Sequence, residues 1–208
     1  WDGMHSSNTF ALVENYNFNA IYIESDKNKF NQLLKTVEKF PKIIPFNFTI
    51  NKHSSSQNSL DNILSKTNIP KNFDVLSIDI DSYDLDVWES LKNYSPKIIV
   101  IEINSSILPG VLQKHSDKTP GNSFSSTLNV ANEKGYKLVS HTGNCIFVRN
   151  DLVNFLKIDN KFFQHPELLF EKKWLNKKDN LFKKILIKII PNLLLNFLII
   201  LKRKIKKQ

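Results

Sequence analysis

Acidic and amide side chains follow two neighbouring hydrophobic runs in the middle of the chain. Asp79 and Asp81 end the first run, DVLSIDID, and Glu102 and Asn104 end the second, KIIVIEIN. Residues two apart on a strand share a face, so each pair of side chains points one way. Acidic strand ends grouped in this way can hold a divalent metal ion. We therefore expect the active site at the ends of these two runs.

The two runs are predicted to be parallel strands joined by a helix. Consecutive apolar residues in each run are typical of strands that helices cover on both faces. Between the runs, Val87, Trp88 and Leu91 recur at helical spacing, and Pro96 ends the segment. Ligands of open α/β sheets bind beyond the carboxyl ends of the strands, which is where the acids are expected.

Further strands and helices alternate on both sides of this unit. Strand patterns at Ala20–Glu24 and Ile43–Ile50 flank a helical pattern over Asp26–Phe40. Proline and glycine predict an irregular, lid-like loop over Ile107–Gly121, and alternating apolar residues predict a hairpin within 136–148. This order predicts an α/β fold with a Rossmann-like sheet that is mostly parallel and has an antiparallel C-terminal hairpin.

Charge is distributed unevenly along the chain: residues 1–171 are nearly neutral, and the residues that follow are strongly basic. The net charge of the 208 residues is +9, but from residue 172 onward Lys and Arg are opposed by Asp179 alone. The basic excess therefore belongs to the tail and gives no argument for nucleic acid as a partner of the domain. The single cysteine, Cys145, excludes a disulfide framework and a cysteine metal cluster. The absence of a recognisable signal segment predicts a cytoplasmic location.

Three parts are expected along the chain: a Rossmann-like domain over 1–152, a linker or helical extension over 153–180, and a basic hydrophobic tail helix over 181–208. Lysines in the first half of the tail argue against a membrane span, and Pro191 should kink the helix. An amphipathic helix in the plane of an anionic membrane surface is favoured, so the protein is predicted to be peripheral on the inner face of a membrane. A span and packing on the domain or on a partner chain are the alternatives.

Five short motifs follow one another from residue 1 to about residue 152: WDGMHSSNT, IYIESD, FDVLSIDIDSYDLDVWESL, KIIVIEIN and GYKLV…NCIFVRNDL. Their order and spacing resemble those of the FkbM-type S-adenosylmethionine-dependent methyltransferases. In that family a strand and a Gly-rich turn lead into the WDG motif. The resemblance therefore predicts that a first strand is missing before residue 1 and that the chain is truncated at its N-terminus.

The resemblance implies which residues bind the cofactor. Glu24, at the end of a strand, would bind both ribose hydroxyls, since a carboxylate accepts two hydrogen bonds at once. Asp79 would face the ammonium or sulfonium charge. The methionine end of the cofactor would lie against four residues, where glycine permits close approach and a helix N-terminus favours a carboxylate: Asp2, Gly3, Ser7 and Asn8.

The resemblance also implies an acceptor side. Tyr83 and Asn104 would border the acceptor, and Asp81, Glu102 or His115 would be the general base. Several acids on neighbouring strand ends repel one another unless a cation joins them, and Mg²⁺ at Asp79, Asp81 and Glu102 is a candidate beside the cofactor. Members of the family chiefly methylate hydroxyls. The resemblance thus predicts O-methylation of a glycan, a lipid-linked precursor or a small molecule.

Two other functions agree with the same sequence. A metal-dependent α/β enzyme or nucleotide-sugar binder would use the same acids, and a non-catalytic, membrane-docked remnant would explain a missing strand. The chain contains no G-x-G-x-x-G and no G-x-S-x-G motif, which argues against a nicotinamide enzyme and an α/β-hydrolase.

Overall fold

The computed structural model describes residues 2–5, 7–175 and 192–200. The described residues belong to two compact units. One unit draws on Trp1–Ile50 and Asn180–Asn196, and the other on Asn51–Asp179 and Phe197–Gln208. Most of the predicted tail helix, residues 181–191 and 201–208, lies outside the described residues.

Strands and helices alternate along most of the described chain. The strands are β1 (Ala20–Glu24), β2 (Ile43–Asn47), β3 (Val75–Ile78), β4 (Ile98–Glu102), β5 (Tyr136–His141) and β6 (Asn144–Arg149). The α-helices are α1 (Phe10–Tyr16), α2 (Lys27–Lys39), α3 (Leu60–Leu64), α4 (Asp84–Ser90), α5 (Phe124–Glu133), α6 (Lys161–Gln164) and α7 (192–200). Three 3₁₀ segments follow β6: Asn150–Phe155, Pro166–Leu169 and Lys172–Leu175.

The first unit contains a parallel pair of strands joined by a helix. β1 pairs with β2 from Ala20 opposite Ile43 to Glu24 opposite Asn47. The connecting α2 begins after Asp26, whose carboxylate accepts a hydrogen bond of 2.8 Å from the N–H of Lys29. A core of apolar side chains holds the helices on this pair: Phe10, Val13, Leu33 and Ile43.

The second unit contains a mixed four-stranded sheet in the order β3-β4-β6-β5. β3 and β4 are parallel and are joined through α4, as the sequence predicts for the central unit. β6 lies between β4 and β5 and is antiparallel to both. The α/β class, the parallel pairs and the C-terminal hairpin are therefore confirmed, while the second sheet is mixed because β6 enters it antiparallel.

The middle strands of this sheet form the core of the second unit. Ile98 to Ile101 are fully buried, as expected for a strand that is covered on both faces. The Trp88 ring on α4 packs against Phe147 and Tyr136, with ring centroids 5.3 and 5.7 Å apart. Cys145 is buried on β6, and burial raises the pKa of its thiol.

The described part of the tail is the helix α7. Two of its residues, Leu194 and Leu198, are 0% and 1% exposed, so the protein covers part of the apolar face of this helix. Within the described ranges, no helix combines the length and the hydrophobicity that are needed to cross a membrane. The predicted association of the tail with a membrane surface stays a prediction.

Candidate functional site

Three carboxylates meet where β3 and β4 end. Ile78 pairs with Ile101 in the parallel register, so the next residues along the two strands, Asp79 and Glu102, are neighbours. Oxygen atoms of Asp79, Asp81 and Glu102 all lie within 4.8 Å of one another. We call these three residues the acid edge. Their grouping agrees with the sequence expectation, and their oxygen donors are the ligands that Mg²⁺ prefers.

A buried carboxylate shapes the loop that contains Asp81. Asp84, 3% exposed at the start of α4, accepts hydrogen bonds from the N–H groups of Ile80 at 2.8 Å and Ser82 at 3.0 Å. Asp81 lies between these two anchors with a φ of 58°, in the left-handed region that non-glycine residues rarely adopt. Asp84 therefore holds Asp81 in a strained conformation beside the strand ends. Sequence reasoning assigned no role to Asp84.

Burial and charge repulsion change the proton affinity of the carboxyls at these strand ends. Burial, followed by the charges of Asp79, Asp84 and Asp81, raises the pKa of Glu102 to about 8. Burial also raises the pKa of Asp84, against the lowering effect of its two backbone hydrogen bonds. When protonated, Glu102 shares a hydrogen bond with Asp79. A positive charge placed among these carboxylates would remove the repulsion and release the proton.

Tyr83 connects the acid edge to the loop that follows β4. The Lys52 ammonium lies 3.6 Å from the centre of the Tyr83 ring, and the His115 ring meets the same ring edge-on at 4.7 Å. The Tyr83 hydroxyl donates a long hydrogen bond of 3.5 Å to Asp117. The loop is also tied to α4 by an ion pair of 2.5 Å between Lys114 and Glu89. These contacts hold the predicted lid loop against Tyr83 and α4.

The hydrogen bonding of His115 favours one tautomer. Its Nδ1 accepts a hydrogen bond of 3.1 Å from the N–H of Gly121. The proton of the neutral ring therefore lies on Nε2, which makes this nitrogen a donor. This arrangement supports a role for His115 as a hydrogen-bond donor more than the predicted role as a base.

Asn104 braces the lid loop. Its side-chain nitrogen donates to the carbonyl of Pro120 at 3.2 Å, and its side-chain oxygen accepts from the hydroxyl of Ser106 at 2.5 Å. A Cβ placed on Gly121 would lie 2.7 Å from the Cβ of Asn104, so glycine is needed for this close approach. The amide of the predicted substrate residue is therefore engaged within the loop itself.

The predicted cofactor residues near the N-terminus form a turn in the first unit. Asp2 accepts hydrogen bonds from the N–H groups of Met4 at 2.9 Å and His5 at 2.8 Å, and its other oxygen meets the His5 ring. Partial burial opposes these bonds, but together they lower the pKa of Asp2. The Ser7 hydroxyl accepts from the N–H of Phe10, the first residue of α1, at 3.1 Å.

Glu24 and Asn8 also lie in the first unit. One Glu24 oxygen accepts from the N–H of Asp26 at 2.8 Å, and the Glu24 carbonyl accepts from the side chain of Asn47 at 2.7 Å. Asn8 is buried. These residues belong to the first unit, whereas the acid edge belongs to the second.

His141 is buried in the second unit within a network of hydrogen bonds. His141 Nδ1 accepts from the N–H of Glu171 at 3.0 Å, and its Nε2 lies 2.9 Å from the Ser105 hydroxyl, which donates to the carbonyl of Gly143 at 2.8 Å. Phe170 stacks on the ring at 4.7 Å. Burial lowers the pKa of His141 to about 4. Because Nε2 is the donor, this histidine cannot activate Ser105 as a nucleophile.

Comparisons with family models, with curated proteins and with solved structures found no match to this chain.

Proposed function

We propose that this chain is an S-adenosylmethionine-dependent methyltransferase with a Rossmann-like fold. In this proposal it transfers a methyl group to a hydroxyl oxygen of a glycan, lipid-linked or small-molecule acceptor. The observation that supports it best is the acid edge, where three carboxylates lie within 4.8 Å of one another beyond a parallel strand pair. That edge is where α/β enzymes bind ligands, and its charge suits a positively charged donor.

In this proposal each of the three acids has a role in binding or catalysis. Asp79 faces the positive charge of the donor, and Asp81 and Glu102 face the acceptor hydroxyl. When bound, the donor supplies an electrophilic methyl carbon on a positively charged sulfur. Glu102 or Asp81 takes the hydroxyl proton as the acceptor oxygen bonds to that carbon, and the electron pair of the broken bond stays on sulfur. Alignment of the two reactants supplies much of the rate enhancement.

The proton affinity of Glu102 gives this proposal a pH dependence. A carboxyl with a pKa of about 8 is largely protonated at neutral pH and cannot accept a proton. A cation bound at the acid edge favours the carboxylate and lowers the pKa of Glu102. Binding of the donor should therefore release a proton and prepare Glu102 as a base.

The proposal is tested by titration calorimetry with S-adenosylmethionine and S-adenosylhomocysteine, in buffers of different ionisation enthalpy. We expect both compounds to bind and the sulfonium compound to bind more tightly, with release of up to about one proton near neutral pH. Glu102→Gln should abolish the proton release. Glu133→Gln, an exposed acid at the end of α5, is the matched control and should behave like the unmodified chain.

A failure of both compounds to bind at millimolar concentration would refute the methyltransferase proposal. The proposal is also refuted if both compounds bind the Glu102→Gln chain and the unmodified chain equally well and no proton is released. The acid edge would then not contact the donor.

A second candidate is a metal-dependent α/β enzyme or nucleotide-sugar binder. The observation that favours it is the donor set of the acid edge, since three carboxylate oxygens from Asp79, Asp81 and Glu102 fit a hard divalent cation. Calorimetry with MgCl₂ alone, followed by a nucleotide sugar, separates the two functions. Heat that requires both the metal and the sugar nucleotide, with none from S-adenosylmethionine, would favour this second function.

A further inference from the structure

Three large apolar side chains are exposed together on the lid loop. Leu108, Val111 and Leu112 are 56%, 48% and 67% exposed. Within the described part of the second unit, the only other exposed large apolar side chain is Leu168. We call Leu108, Val111 and Leu112 the lid tip. Single exposed apolar residues are ordinary, whereas a group of them at one place indicates a surface that a partner covers.

Hydrogen bonds to the start of α5 fix the backbone of the lid tip. The N–H of Gly110 donates to the hydroxyl of Ser125 at 2.7 Å, and the N–H of Gln113 donates to the hydroxyl of Ser123 at 3.0 Å. A backbone hydrogen bond of 3.3 Å closes a turn within the tip itself. A Cβ placed on Gly110 would meet nothing within 4 Å, so this turn is open to its surroundings. The three side chains therefore stay exposed unless these hydrogen bonds break.

The area of the lid tip and the charge of the chain select the class of partner. The exposed fractions correspond to roughly 300 Å² of apolar surface, well below the ~800 Å² that each partner contributes to a stable protein interface. A lipid interface is fluid and accepts a small apolar turn without a complementary shape. The net charge of +9 also favours an anionic surface. From the area, the open turn and the charge we propose that the lid tip inserts into the interface of an anionic membrane.

Insertion of the lid tip acts together with electrostatic attraction. The side chains of two leucines and a valine contain fewer carbon atoms than a myristoyl chain, which alone gives only marginal and reversible membrane binding. The tip therefore needs the attraction of the basic residues for anionic lipid, and insertion by itself does not hold the chain on a membrane. Both contributions are present only at low salt, because salt screens the attraction.

The lid loop connects its tip with the acid edge. The loop begins at Ile107, shortly after Glu102, and its His115 ring lies 4.7 Å from the ring of Tyr83, which precedes α4. A membrane at the tip would therefore be contacted by the same loop that borders the acid edge. If the proposed function holds, on which this step rests, the acceptor hydroxyl belongs to a lipid or a lipid-linked molecule. Insertion of the tip does not depend on that function.

The test uses a fluorescent probe at the lid tip of the full chain. Cys145 is fully buried, so an added exposed cysteine is the one that a thiol-reactive fluorophore labels in the folded chain. The fluorophore NBD is attached to the Leu112→Cys variant and, as the control, to the Leu168→Cys variant. Vesicles with about 30% phosphatidylserine are added at low salt. We expect the emission of the tip probe to shift to shorter wavelength and to be quenched by nitroxide-labelled lipids. The probe at position 168 should show neither change.

A variant without label measures what the lid tip contributes to binding. The triple variant Leu108→Ser, Val111→Ser and Leu112→Ser changes exposed side chains only and should remain folded, which circular dichroism checks. We expect it to bind the same vesicles about tenfold more weakly, because less apolar surface leaves water. Leu168→Ser is the matched control, since it removes an equally exposed leucine of the same unit, and should bind like the unmodified chain.

Three results would overturn the proposal. The tip probe could remain unchanged when vesicles are added, or the triple variant could bind vesicles like the unmodified chain. The third is a dimer in sedimentation that the triple variant abolishes, with a tip probe that responds to protein concentration and not to vesicles, because a second copy would then cover the tip. Insertion of the tip without any binding of S-adenosylmethionine would support the lid tip while refuting the methyltransferase. Binding of S-adenosylmethionine without insertion would do the reverse.

Discussion

At the acid edge and beside it, neighbouring groups set the proton affinity of each carboxyl. Burial raises the pKa of both Asp84 and Glu102, but backbone donors oppose the rise at Asp84, whereas acidic neighbours increase it at Glu102. Such contrasts between nearby acids are typical of functional sites, although structural networks produce them too. His141 is a structural example in the same unit, since its lowered pKa results from burial in a network with no open side.

The raised pKa of Glu102 makes the stability of the protein depend on pH. In the unfolded chain this carboxyl loses its proton near pH 4.5, and in the folded chain near pH 8, so stability from this group is lost as the pH rises between these values. We expect Glu102→Gln to change the free energy of unfolding little at pH of about 4.5 and to raise it by about 1–3 kcal/mol at pH of about 8.5. Urea unfolding at both pH values measures this. An equal effect at the two pH values would contradict the assignment.

His141 should produce the opposite trend. Its pKa is about 4 in the folded chain and 6.5 as a reference for the unfolded chain, so below pH 6.5 the unfolded chain binds a proton that the folded chain does not. Stability from this group is lost as the pH falls from about 6.5 to about 4, by about 2–3 kcal/mol. His141→Gln should be less stable at neutral pH but should lack this loss. If its unfolding free energy falls as steeply as that of the unmodified chain, another group is responsible.

At the scale of helices and strands, local sequence patterns predict most elements, and long-range contacts modify their ends. β1 has its predicted bounds because AIYIE is a short β-rich run that is followed directly by the cap of α2. β3 stops at Ile78, two residues before the apolar run ends, because the N–H of Ile80 bonds to the Asp84 carboxylate. The acid edge was predictable from strand ends and sheet register. The role of Asp84 was not, because it depends on side-chain contacts that no periodicity encodes.

Gly3 joins the N-terminal turn to β1 and α2 in the first unit. Its φ is 79°, and a Cβ at this position would lie 2.7 Å from a methyl carbon of Leu33 and 2.9 Å from the Tyr22 ring. Gly3→Ala should therefore lower the free energy of unfolding by about 2–4 kcal/mol, through backbone strain and overpacking. Gly110→Ala is the matched control, because its φ is 95° and nothing lies within 4 Å of the added carbon.

The Gly110 variant should lose about 1–2 kcal/mol from backbone strain alone. Chemical denaturation of both variants, followed by circular dichroism, measures the difference. Equal losses in the two variants would show that the close approach to Leu33 and Tyr22 does not constrain Gly3.

For the whole molecule, the distribution of charge is the feature that bears on partners. The net charge of +9 comes from the residues after 171, and the last seven residues read KRKIKKQ. α7 precedes this run, and its Leu194 and Leu198 are buried by the protein, so they are not available for insertion into lipid. The other apolar residues of α7 are partly exposed, and we expect the basic run, through its attraction to an anionic surface, to contribute most of any binding.

Vesicle flotation separates this attraction from insertion. We expect the chain to float with vesicles that contain about 30% phosphatidylserine at low salt and to be released at about 0.5 M NaCl, since salt screens exposed charges. The triple variant Lys202→Gln, Arg203→Gln and Lys204→Gln should float less. Flotation that persists at high salt would indicate insertion of apolar side chains and would contradict this prediction.

Alkylation of the single cysteine, Cys145, reports how often the core of the second unit opens. Its sulfur is fully enclosed on β6, between the strand that ends in Glu102 and the outer strand of the hairpin. A thiol reagent can therefore modify it only after the surrounding sheet has opened, and the rate of alkylation follows the frequency of that opening. Changes in the packing of this core are thereby measurable by mass spectrometry on the natural sequence, with no added label.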